Sequence, residues 1–304
     1  MSEIKISLCI PTNGVVEWIF PVLESIYKQQ VDMTKIEVIV TDNGHNEIFK
    51  ERMQEYIKNH NNLIYKETKS YMFHNQIDAL KLASGVYLKF INHRSALLDG
   101  ALAEMLEFVE THEKTKPVIY FSNGVLGGIT QQLTNFNDFV AKLGRHASWT
   151  TGVGIWKETF DSIPPNAKID NISPHSYILF ADRKNDSFII NDKPFCYEVD
   201  PDDTKKGTYD LYKAFSVEEF LITLNLYADG DIDARTVKAV KKDYQNFVKE
   251  LYWRYNILHK PCSYKIDGFN DSMDIIFPRR QILVGAYLLV FRKFLNKLRS
   301  LFLK

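Results

Sequence analysis

The chain has few of the features that hold small secreted proteins together or carry a protein through a membrane. Its 304 residues include three cysteines, Cys9, Cys196 and Cys262. They lie far apart with no paired spacing, which argues against a disulfide framework and a zinc site and suits a reducing cytosol. No apolar run approaches the roughly 20 residues needed to cross a bilayer. The longest, Ile282 to Phe291, ends at Arg292 and Lys293, so no spanning segment is expected. The opening MSEIKIS lacks the charged and apolar regions of a secretory leader. Net charge is also missing, with 38 basic and 38 acidic residues, so nothing in the overall balance favours nucleic acid as a partner. Internal repeats and low-complexity tracts are absent too.

Hydrophobic residues make up 45% of the chain and aromatics 13%, enough to bury one large core or two modest ones. The charge is unevenly spread. Residues 277–304 carry seven bases and no acid, which leaves 31 bases against 38 acids in the rest and concentrates positive charge at one end. Strand-like runs at 4–10, 36–41, 63–65, 86–91 and 117–121 alternate with helical patterns at 16–29, 46–59, 73–83 and 99–113. That alternation predicts βαβ units and a mostly parallel sheet. Ser84-Gly85 is expected to cap the third helix at its end and Asp99 the fourth at its start. Residues 122–205 read as loops rich in Gly, Asn, Asp and Pro, where binding residues tend to lie. From about 209 the pattern turns helical, with helices expected at 216–229, at 233–257 and in a basic final segment, 279–304. Two regions are therefore expected, an α/β domain over 1–205 and a helical region over 206–304.

Two segments carry the most specific signal, ISLCIPTNGVVEWI at 6–19 and EVIVTDNG at 37–44. Each is an apolar run of strand length that stops on turn-forming or acidic residues, as strands do when their carboxyl ends face a ligand crevice. They resemble the opening of the family 2 glycosyltransferases, whose GT-A fold begins with a strand ending in Pro-Thr and continues with one ending in an Asp-containing turn. The resemblance implies an inverting transfer of a sugar from a nucleotide-diphosphate donor to a polysaccharide or lipid-linked oligosaccharide. It further implies capsule or O-antigen synthesis at the inner face of a bacterial membrane. Donor contacts then fall to Pro11, Thr12, Glu17 and Asp42. FHNQIDALKLASGVYLKFIN at 73–92 matches a further family stretch and adds His74 and Asn75. The alternative for Asp42-Asn43-Gly44 alone is a plain turn after a strand.

One family element is missing. Relatives place Asp-x-Asp after the next strand to bind Mn2+ or Mg2+ on the diphosphate. This chain reads INHRS at 91–95, with Asn92 and His93 at the metal positions and Arg94, a permanent cation, beside them. Either the neutral pair ligates a metal weakly, or Arg94 or a protonated His93 neutralises the donor. For the general base, the family position falls in IDNISPHSYILF at 169–180, where His175 is the first candidate and Asp170 the reserve. Trp149 and Gly152, in SWTTGVGIWK, are the acceptor candidates, and Trp156 is a weaker one.

In the last segment Leu283, Tyr287, Val290, Phe291, Phe294, Leu295, Leu298, Leu301 and Phe302 recur at helical spacing with bases between them. This is the pattern of a helix lying in an anionic membrane surface. The alternative is packing against 233–257 or against a second subunit as a homo-oligomer. A catalytically degenerate protein that binds sugars or a partner on the same fold is the rival to an enzyme. A dinucleotide fold is disfavoured by the lack of Gly-x-Gly-x-x-Gly after the first strand.

Overall fold

The computed structural model describes residues 3–169 and 171–302. Ten strands form among the described residues: β1 Ile6–Thr12, β2 Ile36–Asp42, β3 Leu63–Glu67, β4 Tyr87–Phe90, β5 Ser95–Leu97, β6 Val118–Phe121, β7 Gln131–Leu133, β8 Gly154–Trp156, β9 Phe188–Asn191 and β10 Cys196–Glu198. The main sheet runs β3-β2-β1-β4-β8, parallel except for β8, which pairs antiparallel with β4. Helices α1 Val16–Tyr27, α2 Glu47–Tyr56, α3 Asn75–Leu82 and α4 Ala101–His112 connect and follow the parallel strands. This is the GT-A arrangement expected from the sequence.

β1 and β2 read as continuous apolar runs because a parallel sheet is covered on both faces. Ile6, Leu8, Ile10, Ile36, Val38 and Val40 all enter one core, each contributing about 1.5–3 kcal/mol by burial. The chain steps outward from β1 to β2 and β3, then returns to the other side of β1 with β4. The carboxyl ends of β1 and β4 therefore flank a topological switch point, where ligands bind in open α/β sheets.

Two caps differ from expectation. α3 ends at Leu82 with Ala83 extended, and Gly85 has another reason to be glycine: a Cβ there would stand 2.6 Å from Ser7 Oγ. The Gly85 N–H donates to Ser7 Oγ at 2.8 Å and to Glu37 Oε1 at 3.0 Å. Buried Glu37 also accepts from Ser84 N and Ser84 Oγ, so a carboxylate closes the turn between α3 and β4. At α4 the N-cap is Gly100 with φ of +82°, while Asp99 pairs with Lys28 at 3.0 Å. The stretch 122–205 is more regular than its composition suggests. β6, β9 and β7 form a second sheet, β5 and β10 a two-stranded one, and the helix Pro174–Leu179 lies between them in sequence.

The chain divides into two compact units, 1–139 with 146–200, and 140–145 with 201–304. In the second, the helix Ala234–Tyr252 starts at Asp233, whose side chain accepts from Thr236 N, and buries Val240, Tyr244, Val248 and Leu251. The helix Arg279–Phe302 packs along it. Gly285 allows that approach, since a Cβ there would meet Lys249 Cδ at 2.6 Å. Among the described residues no helix is long and apolar enough to cross a membrane.

Candidate active site

The ends of β1 and β2 are sewn together by side chains the sequence picked out. Thr12 Oγ1 accepts from Gly14 N at 3.1 Å. Asp42, 1% exposed, accepts from Gly44 N at 2.7 Å through Oδ1 and from the Tyr65 hydroxyl at 3.1 Å through Oδ2. Burial raises its pKa, and those two hydrogen bonds pull the other way. Gly44 must be glycine because a Cβ would fall 2.1 Å from the Asn13 carbonyl oxygen. Asn75 lies buried at the start of α3. Its amide donates to the carbonyls of Thr12 at 3.0 Å and Thr41 at 2.8 Å, and its oxygen accepts from Thr68 Oγ1 at 2.9 Å. It is thus a clamp on both strand ends. His74 is half-buried next to it and Pro11 half-buried in β1, whereas Glu17 is exposed in the first turn of α1. The Asp42 carboxylate offers about four acceptor sites, of which these bonds fill two.

The end of β4 is charged. Arg94 is 6% exposed. Its guanidinium lies 4.6 Å from the Trp18 ring centroid, donates to Glu198 Oε1 at 2.7 Å and donates to the Asp200 carbonyl. Trp18 in turn contacts the His93 ring edge-on at 5.0 Å, and His93 Nδ1 pairs with Thr12 Oγ1 at 2.8 Å. One contiguous cluster therefore joins the ends of β1 and β4 to β10. Burial and the neighbouring guanidinium pull the His93 pKa down to about 3, which favours the neutral imidazole. Asn92 spends its side-chain oxygen on Arg94 N at 3.0 Å.

This donor set does not suit a divalent cation. Neither expected ligand is a carboxylate, and one oxygen and one ring nitrogen are already bonded. Of the two nearby carboxylates, Glu198 holds a guanidinium that would repel a metal and Asp200 Oδ2 accepts from Trp18 Nε1 at 3.5 Å. Among the described residues no group of three or more His, Cys, Asp or Glu side chains is placed to hold a metal ion.

The segment Thr150–Val153 is stapled to the same strand end. Thr151 Oγ1 accepts from Asn92 N and pairs with Ser95 Oγ, both at 3.1 Å. Lys89, wholly buried in β4, donates to the carbonyls of Phe90, Thr151 and Val153 and lies 4.9 Å from the Phe121 ring centroid. Burial pulls its ammonium down to about 7. The glycines of this segment serve packing, since a Cβ on Gly152 would enter the Tyr120 ring and one on Gly154 the Tyr87 ring. Trp156 is a core residue whose indole donates to the Pro117 carbonyl at 2.7 Å. Trp149 is half-buried with its ring 6.0 Å from Phe195.

His175 is 4% exposed. Its Nε2 lies 2.8 Å from the Ser148 carbonyl oxygen and its Nδ1 3.2 Å from Gln76 Oε1. These contacts tie the helix Pro174–Leu179 to the Trp149 loop and to α3, an anchoring geometry. Asp170 lies outside the described residues. Sequence reasoning passed over Trp18, Lys89, Glu198 and Asp200. The acidic pair in EVD at 198–200 was visible, but its place beside Arg94 was not. A surface groove of about 800 Å³ lies at the opposite end of the sheet, beside Glu3, Gly85 and Trp156. Its Lys116 and Lys157 pair with Glu158 and Asp161, so it offers no comparable chemistry.

No curated protein matches the sequence significantly. Solved structures do. TarS 1–349 of S. aureus in complex with UDP-GlcNAc is 16% identical at a TM-score of 0.55, over 89% of this chain and 76% of that one. A mannosyltransferase from Pyrobaculum calidifontis, in complex with GDP-Man and Mn2+, is 13% identical at 0.52, over 96% and 88%. S. aureus TarS as a longer chain is 18% identical at 0.50, over 83% of this chain, which spans only 43% of it. At these identities the likeness establishes the fold. The model of glycosyl transferase family 2 matches residues 7–163, more than half of the chain and the whole of the strand-end cluster from Thr12 to Arg94: the chain belongs to that family.

Proposed function

We propose that this glycosyltransferase takes a sugar from a nucleoside diphosphate donor and passes it, with inversion, to a hydroxyl of a bacterial surface polysaccharide or lipid-linked oligosaccharide. The observation that carries the reading is the convergence of Thr12, Asp42 and Asn75 at the carboxyl ends of β1 and β2 within the family match. Structures of similar fold bind UDP-GlcNAc and GDP-Man. In this reading the Asp42 carboxylate accepts an N–H of the base through its remaining lone pairs. The acceptor O–H attacks the anomeric carbon, and the bond to the diphosphate breaks with its electron pair going to the departing oxygen. The hydroxyl proton passes to a base.

For that base the 169–180 segment supplies two candidates. Burial and two engaged ring nitrogens weigh against His175 as a proton acceptor, and the carboxylate of Asp170, five residues upstream, then takes the role. Asp170→Asn should lower turnover by about 10²–10⁴ and spare donor binding. His175→Gln should act mainly on stability. The reverse result would return the base to His175. Trp149, beside this segment, is the proposed acceptor platform.

The enzyme is further proposed to work at the inner face of the cell membrane. In the helix Arg279–Phe302, Ile282 and Ala286 are fully buried, while Val284, Tyr287, Leu288 and Phe291 are each at least half exposed on the other side. That exposed apolar row at helical spacing, beside bases with no acid, suits insertion into an anionic lipid surface. Ending the chain at Pro278 should abolish sedimentation with phosphatidylserine vesicles. Equal sedimentation of both lengths would leave the row as a subunit contact. For the reaction itself, donor hydrolysis or transfer in a mixed acceptor screen is the test, and absence of both with every nucleotide sugar would favour the degenerate binder.

A further inference from the structure

We infer that Arg94 itself neutralises the diphosphate of the donor in this chain, in the place where a divalent cation acts in relatives carrying Asp-x-Asp. The inference rests on the donor reading above and deepens it.

Three observations carry it. First, the groups at the β4 end are wrong for a metal and right for an anion. Neither residue at the ligand positions is a carboxylate, their lone pairs are partly used within the protein, and the residue after them is a guanidinium. Second, that guanidinium is fixed before any ligand arrives. Glu198 and the Asp200 carbonyl hold one nitrogen, and Trp18 covers its face. A cation held in place needs no reorganisation when charge develops on a leaving group, which is where electrostatic catalysis gains most. Third, Arg94 keeps unused donor capacity. Among the described residues, Arg94 Nε is a buried side-chain nitrogen with no hydrogen-bond partner. Buried N–H groups are nearly always bonded, and one left unbonded is destabilising. A phosphate oxygen would satisfy it, with the planar guanidinium geometry that suits phosphate.

The location agrees. Arg94, Trp18, His93 and Thr12 form one chain of contacts across the switch point between β1 and β4, and the base of the nucleotide is assigned to the adjoining β2 end. A diphosphate extending from there meets the Arg94 cluster. Glu198 is then a positioning residue: it orients the guanidinium and is itself pushed by the arriving anion. Glu198→Gln, which keeps an acceptor oxygen but loses the charge, should hold or tighten diphosphate binding, whereas a metal-ligand role would make the same change weaken it.

The full chain is titrated calorimetrically with the diphosphates and monophosphates of uridine, guanosine, cytidine, adenosine and thymidine, each in Mn2+ and again in excess chelator. The diphosphate that binds should do so within about twofold in both conditions. Arg94→Gln should weaken it by about tenfold or more, the size of a charge-assisted hydrogen bond, and change the monophosphate by less than about twofold. Arg94→Lys should fall between. The chelator comparison uses unaltered protein, so it stands even if Arg94→Gln fails to fold. Diphosphate binding that disappears in chelator and returns with Mn2+ would overturn the inference and leave the donor reading intact. So would an Arg94→Gln protein that melts like the parent and binds equally well. If no nucleotide binds in either condition, both fall.

Discussion

The strand ends of β1 and β2 and the strand end of β4 lie at the same switch point but solve opposite problems. At the first, Asn75, Thr68, Tyr65 and backbone amides satisfy one another, and the carboxylate of Asp42 is wrapped in two donors. At the second, a permanent cation is held by Glu198 and an indole face, with a nitrogen to spare. A pre-satisfied edge fixes shape and suits reading a neutral base by a few remaining lone pairs. An edge with fixed charge and unused donors suits an anion. The proposed places of base and diphosphate follow this contrast.

The largest effect is expected where the contrast is sharpest. Arg94→Gln should lower the rate of sugar transfer from donor by about 10²–10³, the range for losing a preorganised stabiliser of leaving-group charge. A rate within threefold of the parent would erase the distinction between the two ends.

Asn75→Leu attacks the other end. It strands two buried carbonyls and the Thr68 hydroxyl, and at about 1 kcal/mol for each lost hydrogen bond it should reduce unfolding free energy in urea by about 3 kcal/mol. A loss below about 1 kcal/mol would mean the β1 and β2 ends hold together without their clamp.

Lys89 joins the two themes, since it lies in β4 yet is enclosed by carbonyls and aromatic faces. Its folded pKa of about 7 lies below the ordinary 10.5, so between these values the unfolded chain binds a proton that the folded chain does not. Stability should therefore rise with pH through that window, by up to about 1.4 kcal/mol per pH unit from this group. Lys89→Met should flatten that slope in urea titrations at pH 7, 8 and 9. Parallel slopes for the two proteins would show that Lys89 stays charged throughout.

The smallest change is expected at Glu17. Its exposure in the first turn of α1 predicts that Glu17→Gln shifts stability by no more than about 0.5 kcal/mol and leaves donor affinity unchanged. A clear loss of affinity would extend the nucleotide site onto the start of α1.

How far the sequence could be read follows from where each signal lies along the chain. The four parallel strands were legible because burial on both faces leaves an apolar run that stops abruptly, and helical patterns separate the runs. β5, β7, β8 and β10 were not, since three residues are too few to show a period and their neighbours are turn-formers. Thr12, Asp42 and Asn75 could be placed by motif, yet the motif did not reveal that Asn75 is spent on the two strand ends. Gly85 and Gly152 looked like a cap and an acceptor turn, whereas the side chains that require glycine there, Ser7 and Tyr120, are distant in sequence. Arg94 was visible as a departure from the family pattern. Its partners Glu198 and Asp200 lie a hundred residues on and become neighbours only when β10 pairs with β5.

The central claim, that the β1 and β2 ends hold the nucleotide, is tested most directly at Asp42. Calorimetric titration of the parent and of Asp42→Ala with the preferred nucleoside diphosphate should give one site per chain and an affinity at least about tenfold weaker in the variant, with turnover at saturating donor little changed because the contact is made in ground and transition states alike. Equal affinity in the two proteins would contradict the account.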